Sequence, residues 1–292
     1  MGTARPQGIS SAEQYAYVLQ KGCRCVEIDC WDGAPDIPDG NPGDEPIVTH
    51  GNTFCSKITF RSVIQAMRDS AFAPPANNPY PVVISIEMHC SYDFQQRMFE
   101  ICMELLGDML LILPDEADAN GMSALPSPEA LKHRIIIKGK RGMQKQQESD
   151  SGPEEESEDE DELFDGRSRK PKRNAPEMVV VHTNPDWAGL PYLSAVKFKG
   201  FHEPGSAHEM SSFSEHRTRK LLDSPMLRDD FIKYNRRQMS RIYPKGSRVD
   251  SSNLNPVPSW AAGAQMCALN FQTGDAAMSL NHGRFAENAQ YG

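Results

Sequence analysis

The sequence lacks any run of the eighteen or so apolar residues that a membrane-spanning helix needs, so any membrane contact expected of it is peripheral. Met1–Ser10 contains Gly, Arg and Pro but no apolar stretch of the secretory kind. The seven cysteines are an odd number, and together these absences predict free thiols in a reducing, cytoplasmic compartment. Cys23, Cys25 and Cys30 lie close together, yet paired C-x2-C knuckles are missing and no second cluster completes four zinc ligands. They read as small core residues. Basic residues are absent from Glu148 to Asp165, where eleven acids occur, and the rest of the chain sets 29 acids against 31 Lys plus Arg. The formal charge of −9 therefore describes a near-neutral folded part carrying an acidic insert.

Three blocks follow. From about Ser10 to Gln147, helix and strand signals alternate. Ser10-Ser11-Ala12-Glu13 reads as a capping box opening a helix that Gly22 ends. The spacing then predicts a strand over Cys23–Trp31, a short strand at Pro46–His50, a helix over Thr59–Phe72, a strand over Pro81–Cys90, a helix over Phe94–Ile112 and a strand over Arg134–Lys140. The segment 147–176 is acidic first and basic after, with hardly an apolar residue, and is expected to be a disordered linker. The α/β pattern then resumes. Strands are expected near Ala195–Phe201, Ser240–Tyr243 and Gln265–Phe271, with helices over Ser212–Leu222, capped by Ser212, and Met226–Tyr234. Such alternation argues for a parallel sheet with helical crossovers, in two halves neither of which has a complete core of its own.

Chemistry gathers at the strand ends. In Gly22–Gly33 (GCRCVEIDCWDG), Glu27 and Asp29 are two residues apart on one strand and so share a face. Two neighbouring carboxylates on an otherwise apolar strand need a cation or a proton between them. In parallel α/β folds the working residues sit at the carboxyl ends of strands. Those ends supply in turn Glu27 and Asp29, His50, Glu87, Lys138 and Lys140, Arg241 and Tyr243. Acids suit a hard divalent cation, a histidine moves protons near neutral pH, and the bases suit phosphate.

The ordered segments KGCRCVEIDCWDG, IVTHGNTF, SKITF, PVVISIEMHCS and LPSPEALKHRIIIKGK resemble the X half of eukaryotic phosphoinositide-specific phospholipase C. After the linker, MSSFSE, SRIYPKGSRVDSSNLNPVPSW and GAQMCALNFQT resemble its Y half. The resemblance implies a distorted (β/α)8 TIM-like barrel in two halves: residues 1–146, then the linker 147–176, then 177–292. It also implies calcium-dependent hydrolysis of phosphatidylinositol 4,5-bisphosphate to diacylglycerol and inositol 1,4,5-trisphosphate in intracellular signalling. The expected setting is the inner face of the plasma membrane, with the lipid as partner and no nucleic acid.

Position by position, Glu27, Asp29 and Glu87 match the family's acidic calcium ligands, and Glu27 or Glu87 its candidate base for the inositol 2-hydroxyl. His50 matches the histidine that protonates the departing diacylglycerol oxygen. Lys138, Lys140, Ser212 and Arg241 match the cradle for the ring 4- and 5-phosphates, and Tyr243 the aromatic packed on the ring. The family's His-Asn-Thr-Tyr strand, which supplies a further histidine and a calcium-binding asparagine, has no counterpart in this sequence, and a first barrel strand is expected to be missing. That departure supports an alternative expectation, a catalytically inactive protein that binds phosphoinositides or inositol phosphates. The acidic run of the linker is expected to be autoinhibitory through repulsion from anionic membrane.

Overall fold

The computed structural model describes residues 9–33, 43–50, 55–74, 78–113, 124–141, 144–147, 178–181, 183–203 and 205–289. The predicted linker lies outside these residues except for Gln147.

The first half begins with α1 (Ala12–Gln20), where Ser11, not Ser10, accepts the cap hydrogen bond from the Gln14 amide, and ends at Gly22 with φ 91°. Then come β1 (Cys25–Trp31), the two-residue strands β2 (Ile47–Val48) and β3 (Ile58–Thr59), α2 (Phe60–Ser70), β4 (Val82–Met88), α3 (Tyr92–Leu106) and β5 (Ile135–Gly139). Gly107, with φ 46°, stops α3 six residues before the predicted end, and a single 3-10 turn follows.

Strands β6 (Gln144–Gln147) and β7 (Met178–Val181) pair antiparallel, an element the sequence pattern does not announce. The second half contains α4 (Pro185–Gly189), β8 (Leu193–Ala195), β9 (Glu209–Ser214), α5 (Glu215–Asp223), α6 (Pro225–Asn235), β10 (Met239–Tyr243), α7 (Val257–Ala261), β11 (Met266–Cys267) and α8 (Ala276–Ala286). Two strands are displaced or shortened against expectation: the one predicted near 195–201 ends at Ala195, and Gln265–Phe271 contributes only two ladder residues.

One sheet runs through both halves in the order β11-β10-β9-β8-β5-β4-β1-β2-β3. Seven of these strands, β1, β4, β5, β8, β9, β10 and β11, are joined by parallel pairing, while β2 and β3 fold back antiparallel at the end of β1. Among the described residues no ladder joins β11 to β1. The sheet is thus a distorted TIM-like barrel with an open seam, and a cavity of about 1060 Å3 runs along that seam between β1 and β11.

Alternation sorts the side chains into two populations. Val26, Ile28 and Cys30 of β1, Val82, Ile84 and Ile86 of β4, and Ile135 and Ile137 of β5 face outward and pack with Val63, Ile64 and Met67 of α2 and Met98 and Ile101 of α3. Phe213 and Ile242 do the same in the second half, against Leu221 and Phe231. The intervening residues face the barrel interior. There Val83, Ile136 and Leu193 meet Cys25, Met239 and Met266 as an apolar floor. Full burial of an Ile or Val is worth roughly 1.5–3 kcal/mol each, so this alternation fixes the register and leaves the next inward residues no choice of face.

Candidate active site

One step above the apolar floor, the inward positions turn polar. Glu27 pairs with Ser85 across β1 and β4, and Ser85 with Lys138 across β4 and β5, forming one row. On the opposite wall Arg241 of β10 pairs with Ser212 of β9. A second step up, Asp29 lies directly opposite Glu87. The rungs of the sheet therefore build the site in layers.

Above the floor an ion pair joins the two walls. The Arg241 guanidinium donates to a Glu27 carboxylate oxygen at 2.5 Å, bridging positions 214 residues apart in sequence. Lys138 is buried, and its ammonium donates to the Ser85 hydroxyl at 3.0 Å. Burial first, and then the Arg241 charge, draw the Lys138 pKa down, while Glu27 opposes that shift. Arg241 also lies over the Tyr243 ring, 5.6 Å from its centre.

Asp29 and Glu87 form a strained acid pair. Burial, then the Glu87 and Glu27 charges and a hydrogen bond with Glu87, push the Asp29 carboxyl up to about 8. Glu87 moves the other way, lowered chiefly by its hydrogen bond with His89, with Arg241 and His50 contributing charge. The two carboxyls are thus pushed in opposite directions, Asp29 up and Glu87 down. His50, just beyond β2, is exposed and close enough to act on Glu87.

Most of the predicted residues are brought together in this way. Lys140 sits one residue past β5 and is exposed, at the margin of the group. Ser212 corrects an expectation. It is a half-buried residue inside β9, beside Arg241, and not a helix cap; Ser214 caps α5 by accepting from the Arg217 amide. Two participants were missed. His89 places its Nε2 3.2 Å from Glu87 Oε1 and stacks on Trp31, with ring centres 4.0 Å apart and planes 9° from parallel. Ser85 anchors Lys138. The Glu87-x-His89 spacing, with His89 one residue past the end of β4, was the available signal for His89.

The donor chemistry fits a hard divalent cation in part. Two carboxylates stand side by side, and their mutual repulsion is what a cation relieves. Among the described residues, however, no three His, Cys, Asp or Glu side chains are gathered as a ready-made metal cage. The third acid, Glu27, is drawn to Arg241 instead.

Comparison with known proteins decides the family. Residues 3–141 match the phosphatidylinositol-specific phospholipase C X domain, and residues 188–292 match the Y domain. The chain belongs to the phosphatidylinositol-specific phospholipase C family. It is 41% identical to the human 1-phosphatidylinositol 4,5-bisphosphate phosphodiesterase delta-1, over 98% of this chain and 37% of that protein. To the human beta-4 enzyme it is 38% identical, over 98% of this chain and 28% of that protein. Its fold matches the crystal structure of S. officinalis PLC21 with a TM-score of 0.74 and 34% identity, covering 98% of this chain and 34% of that one. The L. pealei PLC21 structure gives a TM-score of 0.73 and 36% identity, over 97% of this chain and 34% of that one. The chain thus spans about a third of the length of the relatives it matches.

Proposed function

We propose that this barrel is a phosphodiesterase that cleaves phosphatidylinositol 4,5-bisphosphate into diacylglycerol and inositol 1,4,5-trisphosphate, with calcium held by Asp29, Glu87 and Glu27. The observation that carries the reading is the layered inner face: the acids Glu27, Asp29 and Glu87 on β1 and β4, flanked by the bases Lys138 on β5 and Arg241 on β10. That arrangement suits a polyanionic ring whose phosphodiester lies beside the acids.

Lys138, Ser212 and Arg241 bind the ring 4- and 5-phosphates, with Lys140 contributing from the rim. Lys138 enters already desolvated and anchored by Ser85, so little order is lost when it meets a phosphate. Tyr243 offers its face to the inositol ring. Glu87 or Glu27 accepts the proton of the ring 2-hydroxyl, which attacks the adjacent phosphorus within the same molecule and so gains from proximity. Glu87 suits this task, since His89 keeps its carboxyl ionised and aimed. His50 then delivers a proton to the glycerol oxygen as it leaves. A bound calcium ion would lower the hydroxyl pKa and offset charge on the phosphoryl oxygens. Water subsequently opens the cyclic phosphodiester.

Substrate in a bilayer implies peripheral membrane contact, and among the described residues no helix is long and apolar enough to cross one. The test is release of inositol phosphates from mixed micelles in calcium and in chelator. Calcium-dependent release supports the reading. Head-group binding with no turnover would favour instead a phosphoinositide-binding protein of the same fold.

A further inference from the structure

The contact between Glu27 and Arg241 has consequences for how the site fills. Each partner belongs to a different wall of the site: Glu27 sits in the row below the Asp29–Glu87 pair, and Arg241 lies beside Ser212 on the opposite wall. Their 2.5 Å ion pair ties the two walls across the barrel interior. The Arg241 side chain is only 15% exposed, so its guanidinium has few alternatives to Glu27 in this arrangement. Glu27, at 40%, can turn away into solvent or towards the acids above it.

We propose that the Glu27–Arg241 ion pair is a latch that couples the cation half of the site to the phosphate half. This rests on the functional reading given above. A divalent cation that recruits Glu27 as its third carboxylate must take it from Arg241. A phosphate that recruits Arg241 must take it from Glu27. Whichever ligand arrives first bears the cost of parting the pair, and the second does not. Binding of either therefore strengthens binding of the other, by the same factor in both directions. Among the described residues no three carboxylates are gathered as a metal cage, and the latch accounts for this by holding Glu27 to Arg241.

The coupling can be read by calorimetric titration of the full chain. The probes are calcium chloride and inositol 4,5-bisphosphate, chosen because it has no 1-phosphate to touch the cation directly. Calcium affinity is measured without and with saturating inositol bisphosphate, and the reverse titration is run in chelator and in calcium. The expected result is a reciprocal gain of about fivefold in each direction. In Glu27→Gln, inositol bisphosphate affinity in chelator should rise by about the same factor and become insensitive to calcium. In Asp32→Asn, which removes a carboxylate just beyond β1 and keeps the oxygen that the Ser91 amide donates to, that affinity should stay within about twofold of the parent.

Two results overturn the latch: wild-type affinities that are independent while both ligands bind, or an equal rise in the two variants, which would be a general charge effect. The wild-type titrations need no substitution, so they decide the matter even if a variant fails to fold. If the chain binds neither ligand, the functional reading falls and the latch with it. If it binds both independently, the functional reading stands and only the latch falls.

Discussion

Asp29 and Glu87 face each other as direct partners across β1 and β4, and their proximity drives the Asp29 carboxyl up while Glu87 is held down by His89. Each alone is an unremarkable strand acid; together in a half-buried site they make a place where the fold is electrostatically strained. Strain of this kind is retained where function uses it.

Replacing Asp29 by Asn should therefore stabilise the metal-free protein while removing its capacity for calcium. The gain is expected to be on the order of 1 kcal/mol at neutral pH, a rise in Tm of about 2–4 °C. Differential scanning calorimetry in chelator, paired with a calcium titration of the same variant, checks both halves. A lower Tm would mean that Asp29 is held by favourable contacts and not by repulsion.

His50 is the exposed proton donor of the proposed reaction, and no core packing depends on it. His50→Ala should cost about 10²–10⁴ in turnover and leave Tm within about 1 °C of the parent. Steady-state release of inositol phosphate together with a melting curve separates lost chemistry from lost fold. Unchanged turnover would remove His50 from the mechanism.

Lys138 is buried inside the barrel, where it donates to Ser85. Lys138→Met keeps the stem that packs inside the barrel and removes only the charge. Its effect should be concentrated in KM for phosphatidylinositol 4,5-bisphosphate, rising by about tenfold or more, with little change for phosphatidylinositol, which has no ring phosphates to lose. An equal loss on both lipids would make Lys138 structural.

A fourth expectation concerns the loop that follows Tyr243. Arg248 grips Glu215, at the start of α5, through two bonds of 2.6 and 2.7 Å, and also donates to Ser252. The Glu215 carboxyl is held below its ordinary value, first by that bond with Arg248. A lowered pKa means stability that is present above the unfolded value of 4.5 and lost as pH falls through the folded one. Glu215→Gln should thus cost about 1–2 kcal/mol from pH 6 to 8, with the difference from wild type narrowing as pH falls below 4.5. Urea melts at pH 7 and pH 3.5 test this; a difference that does not shrink at the lower pH would contradict it.

Much of the site was legible because strand periodicity is a strong local signal. Glu27 with Asp29, and Lys138 with Lys140, are each two residues apart, and the outward Val26, Ile28, Cys30, Ile135 and Ile137 of the same strands leave only the inward face for charge. The second half was harder to read. MSSFSE holds three serines, and the Ser-x-x-Glu pattern at Ser212 looks like a capping box although the strand runs on to Ser214. Ladder hydrogen bonds with β10 outweigh that local preference. The expected strand over Gln265–Phe271 shrank because it pairs on one side only, with β10 at Met266 and Cys267. The Glu27–Arg241 bridge has no local signature at all, since it exists only once the sheet curls and brings β1 and β10 to opposite walls.

The account stands or falls most directly on one assay: inositol 1,4,5-trisphosphate released by the full chain from phosphatidylinositol 4,5-bisphosphate in mixed micelles, with calcium, with chelator, and with the His50→Ala variant as baseline. The predicted result is release in calcium that disappears in chelator and falls at least about 100-fold in the variant. Release no greater than that of His50→Ala, from a protein that still binds the head group, would contradict it and leave a phospholipase fold that recognises its lipid without cutting it.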